Sequence, residues 1–279
     1  LLEPRWLSLE SGRRLFYFRG GDPQGPPVLF VHGIGGWAEQ WLPTLEAFQG
    51  HRWLIPDLPG FGRSEAPELA TAENLRASLL AVLDAEQVGQ VMVVGNSLGG
   101  GLALRLTLDH PTRVDRLVLA TAAGVLRQLP MVFKLARLPL FGRFLLSNRS
   151  PIAWARWRAQ FGNQALVTPQ FMGEIARFSE CFDCRPTYLG LLRSGINRLG
   201  MLEVVTGELH TVHQPVLLVW GDRDRVIPIT HGRFAAEKLP NVRFETFEGS
   251  GHYPHWEQPE RFNQAVREFL RTPVLRACA

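Results

Sequence analysis

The stretch 91–101, with the sequence VMVVGNSLGGG, constrains the fold more than any other part of the chain. Four apolar residues predict a buried strand, the pattern G-x-S-x-G follows, and leucines and alanines then continue as a helix. A side chain at Gly95 or Gly99 would collide with the crossing strand and helix, so the turn needs glycine there. The stretch therefore predicts a nucleophile elbow that exposes Ser97, although a glycine-rich turn with an incidental serine would also satisfy so short a motif.

Strand and helix patterns alternate along most of the chain. An opening β-hairpin is predicted over 6–18, and apolar strands are predicted at 28–31, 52–56, 91–94, 116–120, 215–220 and 242–247. Helical spacing of apolar residues occurs at 71–88, with Thr71 as a plausible N-cap, and again from Pro259 onwards. Fully apolar strands that alternate with helices predict an α/β fold, with a mostly parallel central sheet and helices on both faces.

The rhythm changes between residues 124 and 208, where no clear apolar strand occurs and proline, tryptophan and arginine become frequent. We interpret this stretch as a helical cap inserted after the sixth strand. The predicted organisation is a core formed by 1–123 and 209–279, with the cap at 124–208.

Composition limits the classes of partner and compartment. The formal net charge of +4 comes almost wholly from arginine, since Lys134 and Lys238 are the only lysines, and no basic cluster has the motif of a nucleic-acid module. No apolar run is long enough to cross a bilayer. The start of the chain lacks a secretory signal pattern, so we expect a cytoplasmic protein of bacterial type, with removal of a leader before Leu1 left open.

Cysteines and binding motifs predict neither a disulfide framework nor a cofactor. Cys181 and Cys184 form a lone CxxC, and Cys278 makes the total odd, so packed or incidental thiols are expected. The chain has no H-E-x-x-H zinc motif and no dinucleotide fingerprint, and GNSLGGG lacks the ending of a phosphate-binding loop. We expect no metal and no organic cofactor.

Polar residues gather at the predicted strand ends. HGIGG follows the strand at 28–31, Ser97 follows the elbow strand, GDRDRVIP follows the strand at 215–220, and EGSGHY follows the strand at 242–247. In a parallel sheet these loops share one edge, where ligands bind. A serine, an aspartate and a histidine in this chain order are the arrangement of a hydrolytic triad.

Five motifs in this order resemble those of the α/β-hydrolase superfamily, and the resemblance covers nearly the whole chain. They are HGIGG at the oxyanion loop, DLPGFGRS after the next strand, GNSLGG at the elbow, GDRDRVIP at the acid loop and GSGHYPHWEQP at the histidine loop. The stretch 124–208 matches the variable helical cap of this superfamily, which covers the site.

The chemistry of acyl transfer assigns a role to each member of the triad. A serine hydroxyl is a weak nucleophile at neutral pH, so Ser97 needs a base, and His252 is the candidate. A buried carboxylate must fix the imidazole in one tautomer. Asp224 is the better candidate because it stands three residues before Ile227, as the acid of the resembled family does, while Asp222 is its rival and is expected to cap the loop.

Other residues near these motifs receive supporting roles. The backbone N–H groups of Leu98 and Ile34, with Gly35 as a further option, are expected to form the oxyanion hole. His32 is expected to brace its loop by hydrogen bonding, and Asp57 to fix its turn. The remaining histidines considered are expected to be surface or packing residues: His210, His213, His231 and His255.

The substrate pocket is harder to locate from sequence. Trp37, Asn96, Trp154 and Trp157 are the candidate pocket residues, and each tryptophan could equally belong to the core. The cap segment 131–146 is apolar with interspersed cations, which is compatible with a lid that contacts a membrane surface or with an ordinary amphipathic helix. We expect no stable membrane insertion, a small-molecule ester as the partner, and a monomer or homodimer.

The leading functional hypothesis is hydrolysis of small to medium carboxylic esters with an apolar acyl part, through an acyl-enzyme on Ser97. Asn96, Asp224-Arg225 and His-x-x-x-Trp-Glu at 252–257 also resemble the C–C hydrolases of aromatic ring-cleavage products, for which Arg185 or Arg193 could bind the substrate's acidic end. Lactone hydrolysis and a perhydrolase side activity are further alternatives, as is a non-catalytic member that binds a small molecule or a partner. Serine at the elbow disfavours mechanisms through an alkyl-enzyme ester on aspartate.

Overall fold

The computed structural model of the protein describes residues 1–145, 151–181 and 184–271. The strands are β1 (Glu3–Ser8), β2 (Arg14–Gly21), β3 (Pro27–Val31), β4 (Arg52–Pro56), β5 (Val91–Asn96), β6 (Val114–Ala120), β7 (Ile196–Asn197), β8 (Gly200–Met201), β9 (Val216–Gly221) and β10 (Val242–Phe247). The α-helices are α1 (Ala72–Ala85), α2 (Leu98–Asp109), α3 (Met131–Ala136), α4 (Pro139–Leu145), α5 (Pro151–Gln160), α6 (Pro169–Cys181), α7 (Arg185–Gly195), α8 (Ile229–Lys238), α9 (Pro254–Glu257) and α10 (Pro259–Arg271).

One eight-stranded sheet has the order β1-β2-β4-β3-β5-β6-β9-β10. The opening hairpin β1–β2 is antiparallel, and β2 also pairs antiparallel with β4. Every other pair in this sheet is parallel, from β4–β3 to β9–β10. The prediction of a mostly parallel α/β sheet is therefore confirmed.

Apolar residues on both faces of the strands explain why helices cover both faces of the sheet. On β3, Leu29 and Val31 pack into the core shared with α1, α2 and α8. Val28 and Phe30 point to the opposite face, where they pack against α10 and a 3₁₀ helix at Ala38–Phe48. Because alternate side chains of a strand face opposite ways, a fully apolar strand needs cover on each side.

Local sequence signals account for the ends of several elements. The Thr71 hydroxyl accepts a hydrogen bond from the Asn74 N–H at 3.2 Å, as the predicted N-cap of α1 requires. The helix that follows Trp37 is a 3₁₀ helix over Ala38–Phe48. It contains Pro43, whose missing N–H disfavours an α-helix interior.

The chain between β6 and β9 forms helices α3 to α7 and one small hairpin. The hairpin was not expected: β7 and β8 pair antiparallel over two residues each, with Ile196 opposite Met201. Such short strands carry no readable alternation of apolar residues, and the Asn197 side chain closes the turn by accepting from the Leu199 N–H at 2.8 Å. Residue 146, the last of the predicted apolar cap segment, lies outside the described residues.

None of the described helices combines the length and the apolar character that crossing a lipid bilayer requires.

Candidate active site

Ser97 lies at the sharp turn between β5 and α2, with φ 54° and ψ −119°. A positive φ in a residue other than glycine costs roughly 1–3 kcal/mol, so the surrounding structure must hold it. The Ser97 N–H donates to the Ala120 carbonyl at 3.0 Å, and the Ser97 carbonyl accepts from the N–H groups of Gly101 and Ala123 at 3.1 and 2.8 Å. Neighbouring β6 and the loop after it therefore fix the strained backbone.

The two glycines of the elbow are required by close backbone approach. A Cβ at Gly95 would lie 2.7 Å from the Gly99 carbonyl carbon, at the start of α2. A Cβ at Gly99 would overlap the Val31 carbonyl oxygen of β3. The predicted collisions with helix and strand are confirmed, and they explain how α2 can begin directly above the sheet.

His252 and Asp224 form a buried pair at the ends of β10 and β9. The His252 Nδ1–H donates to Asp224 Oδ2 at 2.8 Å. Asp224 Oδ1 accepts from the backbone N–H groups of Val226 and Ile227 at 2.7 and 2.9 Å, so the carboxylate is held from both sides. Because Nδ1 carries the proton in this bond, Nε2 of the neutral ring keeps a lone pair.

Asp222 has a different environment from Asp224. Its Oδ1 accepts from the Gly249 N–H at 2.7 Å, in an exposed position. This bond connects the loop after β9 to the turn after β10, which is the role expected of a loop-capping residue.

The loop after β3 is organised by His32, which is completely buried. Its Nδ1 donates to the Gly33 carbonyl at 2.7 Å, and its Nε2 accepts from the Leu58 N–H at 2.9 Å. Burial lowers the pKa of His32 to about 4, so the ring is neutral at pH 7 and can make both bonds at once. The histidine braces this loop from below, as expected.

Asp57 supports the same loop from the next strand end. Its carboxylate accepts from the Ala38 N–H at 2.6 Å, the Arg63 N–H at 2.9 Å and the Arg63 guanidinium at 2.7 Å. Burial raises the pKa of Asp57, and Arg63 opposes that effect. Asp57 thus fixes the chain at Ala38 and at Arg63, and both of its carboxylate oxygens accept hydrogen bonds.

A cavity of about 160 Å³ opens beside the elbow. Its walls include Ser97, His252, Ile34 and Leu98, so the structure brings together the predicted nucleophile, the base and two residues of the predicted oxyanion hole. Gly35, with φ 77°, lies one residue further along the loop and faces the Tyr188 ring. Most of the remaining wall is apolar, with side chains that include Leu102, Leu129, Phe133, Leu191, Leu192 and Ile196.

Two arginines line the cavity, and each is paired with carboxylates. Arg76 Nη1 lies 2.7 Å from Glu203, which also lines the cavity. Arg105 lies 2.8 Å from Glu208 and 2.7 Å from Asp109. The positive charge of these two arginines is therefore largely neutralised.

The four predicted pocket residues are absent from the described lining of the cavity. The Asn96 amide donates to the Ala120 carbonyl at 3.1 Å, the Thr121 hydroxyl at 3.0 Å and the His252 carbonyl at 3.3 Å, and so braces the backbone that carries His252. The tryptophans lie elsewhere: Trp157 is buried in an aromatic cluster, Trp37 packs on the edge of that cluster, and Trp154 is exposed. The sequence alone could not tell whether these tryptophans pack on other aromatic rings or line a pocket.

A contact between α5 and the histidine loop had no signal in the sequence. The His252 N–H donates to the Gln160 carbonyl, at the end of α5, at 2.7 Å. The Glu257 carboxylate accepts from the N–H groups of Gly162, Asn163 and Gly251 at 2.8, 3.0 and 2.7 Å. Burial raises the pKa of Glu257, and these N–H groups oppose that effect.

Aromatic side chains reinforce the same contact. Tyr253 stacks on Trp256 with ring centroids 5.1 Å apart, and on Trp157 of α5 at 6.2 Å. Phe161 completes the cluster, 5.3 Å from the Tyr253 ring. The helical stretch is thus attached to the backbone that carries His252.

Of the three cysteines, one has a described side chain. Cys184 directly precedes α7, whereas the side chain of Cys181 and all of Cys278 lie outside the described residues. In the described part of the chain, no group of three or more His, Cys, Asp or Glu side chains is arranged to hold a metal ion.

Comparisons with known proteins identify a family, similar sequences and similar structures. The sequence profile of the alpha/beta hydrolase family matches residues 28–265. An uncharacterized protein of Mycobacterium tuberculosis is 31% identical over 96% of this chain and 81% of its own length. A 2-hydroxymuconate semialdehyde hydrolase of Pseudomonas putida is 31% identical over 88% of each chain. The crystal structure of a hydrolase from Pseudomonas aeruginosa superposes with a TM-score of 0.83 at 24% identity, over 97% of this chain and 99% of the other.

Proposed function

The chain belongs to the alpha/beta hydrolase family, and we propose that it hydrolyses carboxylic esters of small to medium size with an apolar acyl part. The observation that carries the proposal is the position of Ser97 and His252 on the wall of one largely apolar cavity, with His252 bonded to buried Asp224. An apolar acyl group gains free energy by leaving water for such a cavity. An ester carbonyl next to Ser97 would then be open to attack.

The proposed reaction begins when the Ser97 Oγ attacks the carbonyl carbon of the ester. His252 Nε2 takes the hydroxyl proton, while Asp224 keeps the Nδ1–H in place and stabilises the imidazolium that forms. The backbone N–H groups of Leu98 and Ile34, with Gly35 as a further donor, stabilise the negative oxygen of the tetrahedral intermediate. Loss of one such donor typically lowers the rate by about 10²–10³.

Collapse of the intermediate breaks the bond to the alcohol, and the imidazolium gives its proton to the departing oxygen. Water then enters, and His252 removes a proton from it as it attacks the acyl-Ser97 carbonyl. The carboxylic acid leaves, Ser97 regains its proton, and the enzyme returns to its starting state.

The helical stretch 124–208 is proposed to act as a cap that selects the acyl group. Support comes from Phe133, Leu191 and Leu192, which lie on its helices and line the cavity. The triad residues lie outside this stretch, on loops at the strand ends. The core would then supply the chemistry, and the cap the shape of the acyl pocket.

A second candidate function is hydrolysis of a C–C bond in an aromatic ring-cleavage product. The 2-hydroxymuconate semialdehyde hydrolase of P. putida, at 31% identity, favours it. Such an acidic substrate calls for a cation in the cavity, and the described cations there, Arg76 and Arg105, are already paired. The two cap arginines considered from sequence, Arg185 and Arg193, are absent from the described lining. These pairings favour an uncharged ester.

The test compares p-nitrophenyl esters from acetate to palmitate on the wild type and on Ser97→Ala. We expect the highest kcat/KM with short to medium acyl chains and a loss of at least about 10³-fold in the variant. The matched control is Ser194→Ala, since Ser194 also lines the cavity but its hydroxyl donates to the Ala70 carbonyl. Full activity in Ser97→Ala would refute the proposal.

Two further substrates separate the alternatives. Faster turnover of a 2-hydroxy-6-oxo-dienoate than of any ester would favour the C–C hydrolase, and preference for lactones would favour a lactonase. A fluorophosphonate probe tests the non-catalytic alternative, because only an activated Ser97 reacts with it. A folded protein that the probe leaves unlabelled would support a binding role.

A further inference from the structure

The outer sides of α3 and α4 expose large apolar side chains to solvent. Leu140 is 85% exposed, Met131 64% and Phe144 56%. The outer apolar face consists of these three residues together with Val132, Leu135, Leu138 and Phe141. A contiguous sequence run that exposes so many large apolar groups marks an interaction surface more often than a scatter of single residues does.

The inner sides of the same helices are already used for packing. Phe133 lines the cavity, and Ala136 is buried with Leu192. On α4 Gly142 is buried, and a Cβ there would meet the Ala136 carbonyl and the Leu189 side chain. A helix whose inner side is packed normally has polar residues outside. Here the large apolar residues point outwards, so burial in this fold does not account for them.

The electrostatic character of this region is uniform. The run 116–173 contains no aspartate or glutamate, and Lys134, Arg137 and Arg143 lie within α3 and α4 themselves. Cations among exposed apolar residues are the pattern of segments that lie in the interface of an anionic bilayer. A protein partner would equally bury apolar residues, but the complete lack of acidic residues over this length favours a uniformly negative surface.

We propose that the outer apolar face docks reversibly on the surface of anionic phospholipid membranes. Leu140, Phe144 and Met131 enter the boundary between headgroups and acyl chains, while Lys134, Arg137 and Arg143 lie among the lipid phosphates. The docking is peripheral and does not depend on which bond the cavity hydrolyses. It places the wall formed by Phe133 close to the bilayer, from which apolar substrates partition.

The test measures sedimentation of the full chain with vesicles of phosphatidylcholine, alone or mixed with phosphatidylglycerol. We expect binding to the mixed vesicles, weaker binding to phosphatidylcholine alone, and release as salt is raised. The double variant Leu140→Glu/Phe144→Glu should bind the mixed vesicles at least roughly tenfold less, since it removes apolar contacts and adds negative charge. Its hydrolysis of a water-soluble ester should equal that of the wild type, which also shows that it folds.

The matched control is Leu69→Glu, because Leu69 is 63% exposed but lies in the loop before α1. Arg143→Glu provides a second variant with a smaller disturbance of packing, and it should weaken binding to the mixed vesicles only. Failure to bind mixed vesicles, or equal loss in Leu69→Glu and the double variant, would overturn the proposal. So would a dimer of the wild type that the double variant dissociates, because the face would then join two copies of the chain.

Discussion

At the scale of single residues, the candidate chemistry depends on which carboxylate holds His252. Asp224 and Asp222 are two positions apart, and the sequence favoured Asp224, with Asp222 as its rival. Asp224 bonds to the ring and to the N–H groups of Val226 and Ile227, whereas Asp222 bonds to the Gly249 N–H. Only the first arrangement can fix an imidazole tautomer.

Asp224→Asn should therefore lower kcat for the best ester by about 10³–10⁴ at neutral pH, because an amide permits the wrong tautomer of His252. Asp222→Asn is the matched control and should retain kcat within a few-fold. The measurement is steady-state hydrolysis of that ester by both variants. Equal losses in the two variants would contradict the assignment of Asp224.

Residues whose roles are local were predictable from the sequence. The requirement for glycine at 95 and 99 follows from a turn that spans five residues, and the structure confirms it. The contact of Trp157 with Tyr253 was not predictable, because it depends on how α5 packs on the histidine loop. Apolar side chains give no sequence signal that separates a cavity wall from a core.

At the scale of elements, the attachment of α5 to the histidine loop is the contact that bears most directly on His252. The Glu257 carboxylate accepts hydrogen bonds from three backbone N–H groups there, two of which belong to residues just after α5. The His252 N–H itself bonds to the Gln160 carbonyl. We therefore propose that Glu257 is a positioning residue, which acts on the proposed base through the backbone around it.

Glu257→Ala should lower the free energy of unfolding by about 1–3 kcal/mol, because the part-buried N–H groups of Gly162 and Gly251 lose their acceptor. It should also lower kcat more than it raises KM, and Glu257→Gln should restore part of kcat because its amide oxygen still accepts. The measurements are urea unfolding and steady-state kinetics well below the unfolding temperature. Glu248→Ala, at an exposed position of the same loop, is the control. A loss of stability with kcat unchanged would contradict a positioning role.

The main elements of the sheet were predicted from periodicity and confirmed, whereas contacts between distant elements were not. Glu257 and Gly162 are 95 residues apart, and a single sequence contains no record of such a pairing. The hairpin β7–β8 was missed because two-residue strands cannot show alternation. The boundaries of the cap at 124 and 208 stay a prediction.

At the scale of the whole molecule, two of the buried histidines, His32 and His255, make the stability of the fold depend on pH. Burial lowers the pKa of His32 to about 4 and that of His255 to about 3. His255 stacks on Trp41 at 4.8 Å, and neither of its ring nitrogens has a hydrogen-bond partner among the described residues. Both rings must stay neutral while the protein is folded.

The unfolded chain binds protons on these histidines near pH 6.5, and the folded chain does so only near pH 3–4. The contribution of the two neutral histidines to the free energy of unfolding is therefore fully present above pH 6.5, and it is lost as the pH falls below that value. Protonation of each histidine in the unfolded chain should lower the free energy of unfolding by about 2 kcal/mol between pH 7 and pH 5. Urea unfolding at both pH values measures the loss.

His255→Phe removes one of these two histidines. The decrease in the free energy of unfolding between pH 7 and pH 5 should therefore be smaller in this variant than in the wild type, by about half of the joint contribution of His32 and His255. His213→Phe, at an exposed position, should leave the pH dependence unchanged. If His255→Phe unfolds too readily to measure, His255→Leu gives the same comparison. A pH dependence identical to that of the wild type would contradict the role of His255.

The helix α3 is only six residues long, yet it has Phe133 on the cavity wall and Met131 on the outer apolar face. A molecule inside the cavity and a surface outside it therefore act on the same turn and a half of helix. Any coupling free energy between their two binding equilibria is reciprocal. If filling the cavity strengthens attachment at the outer face by some factor, attachment strengthens retention of the molecule in the cavity by the same factor.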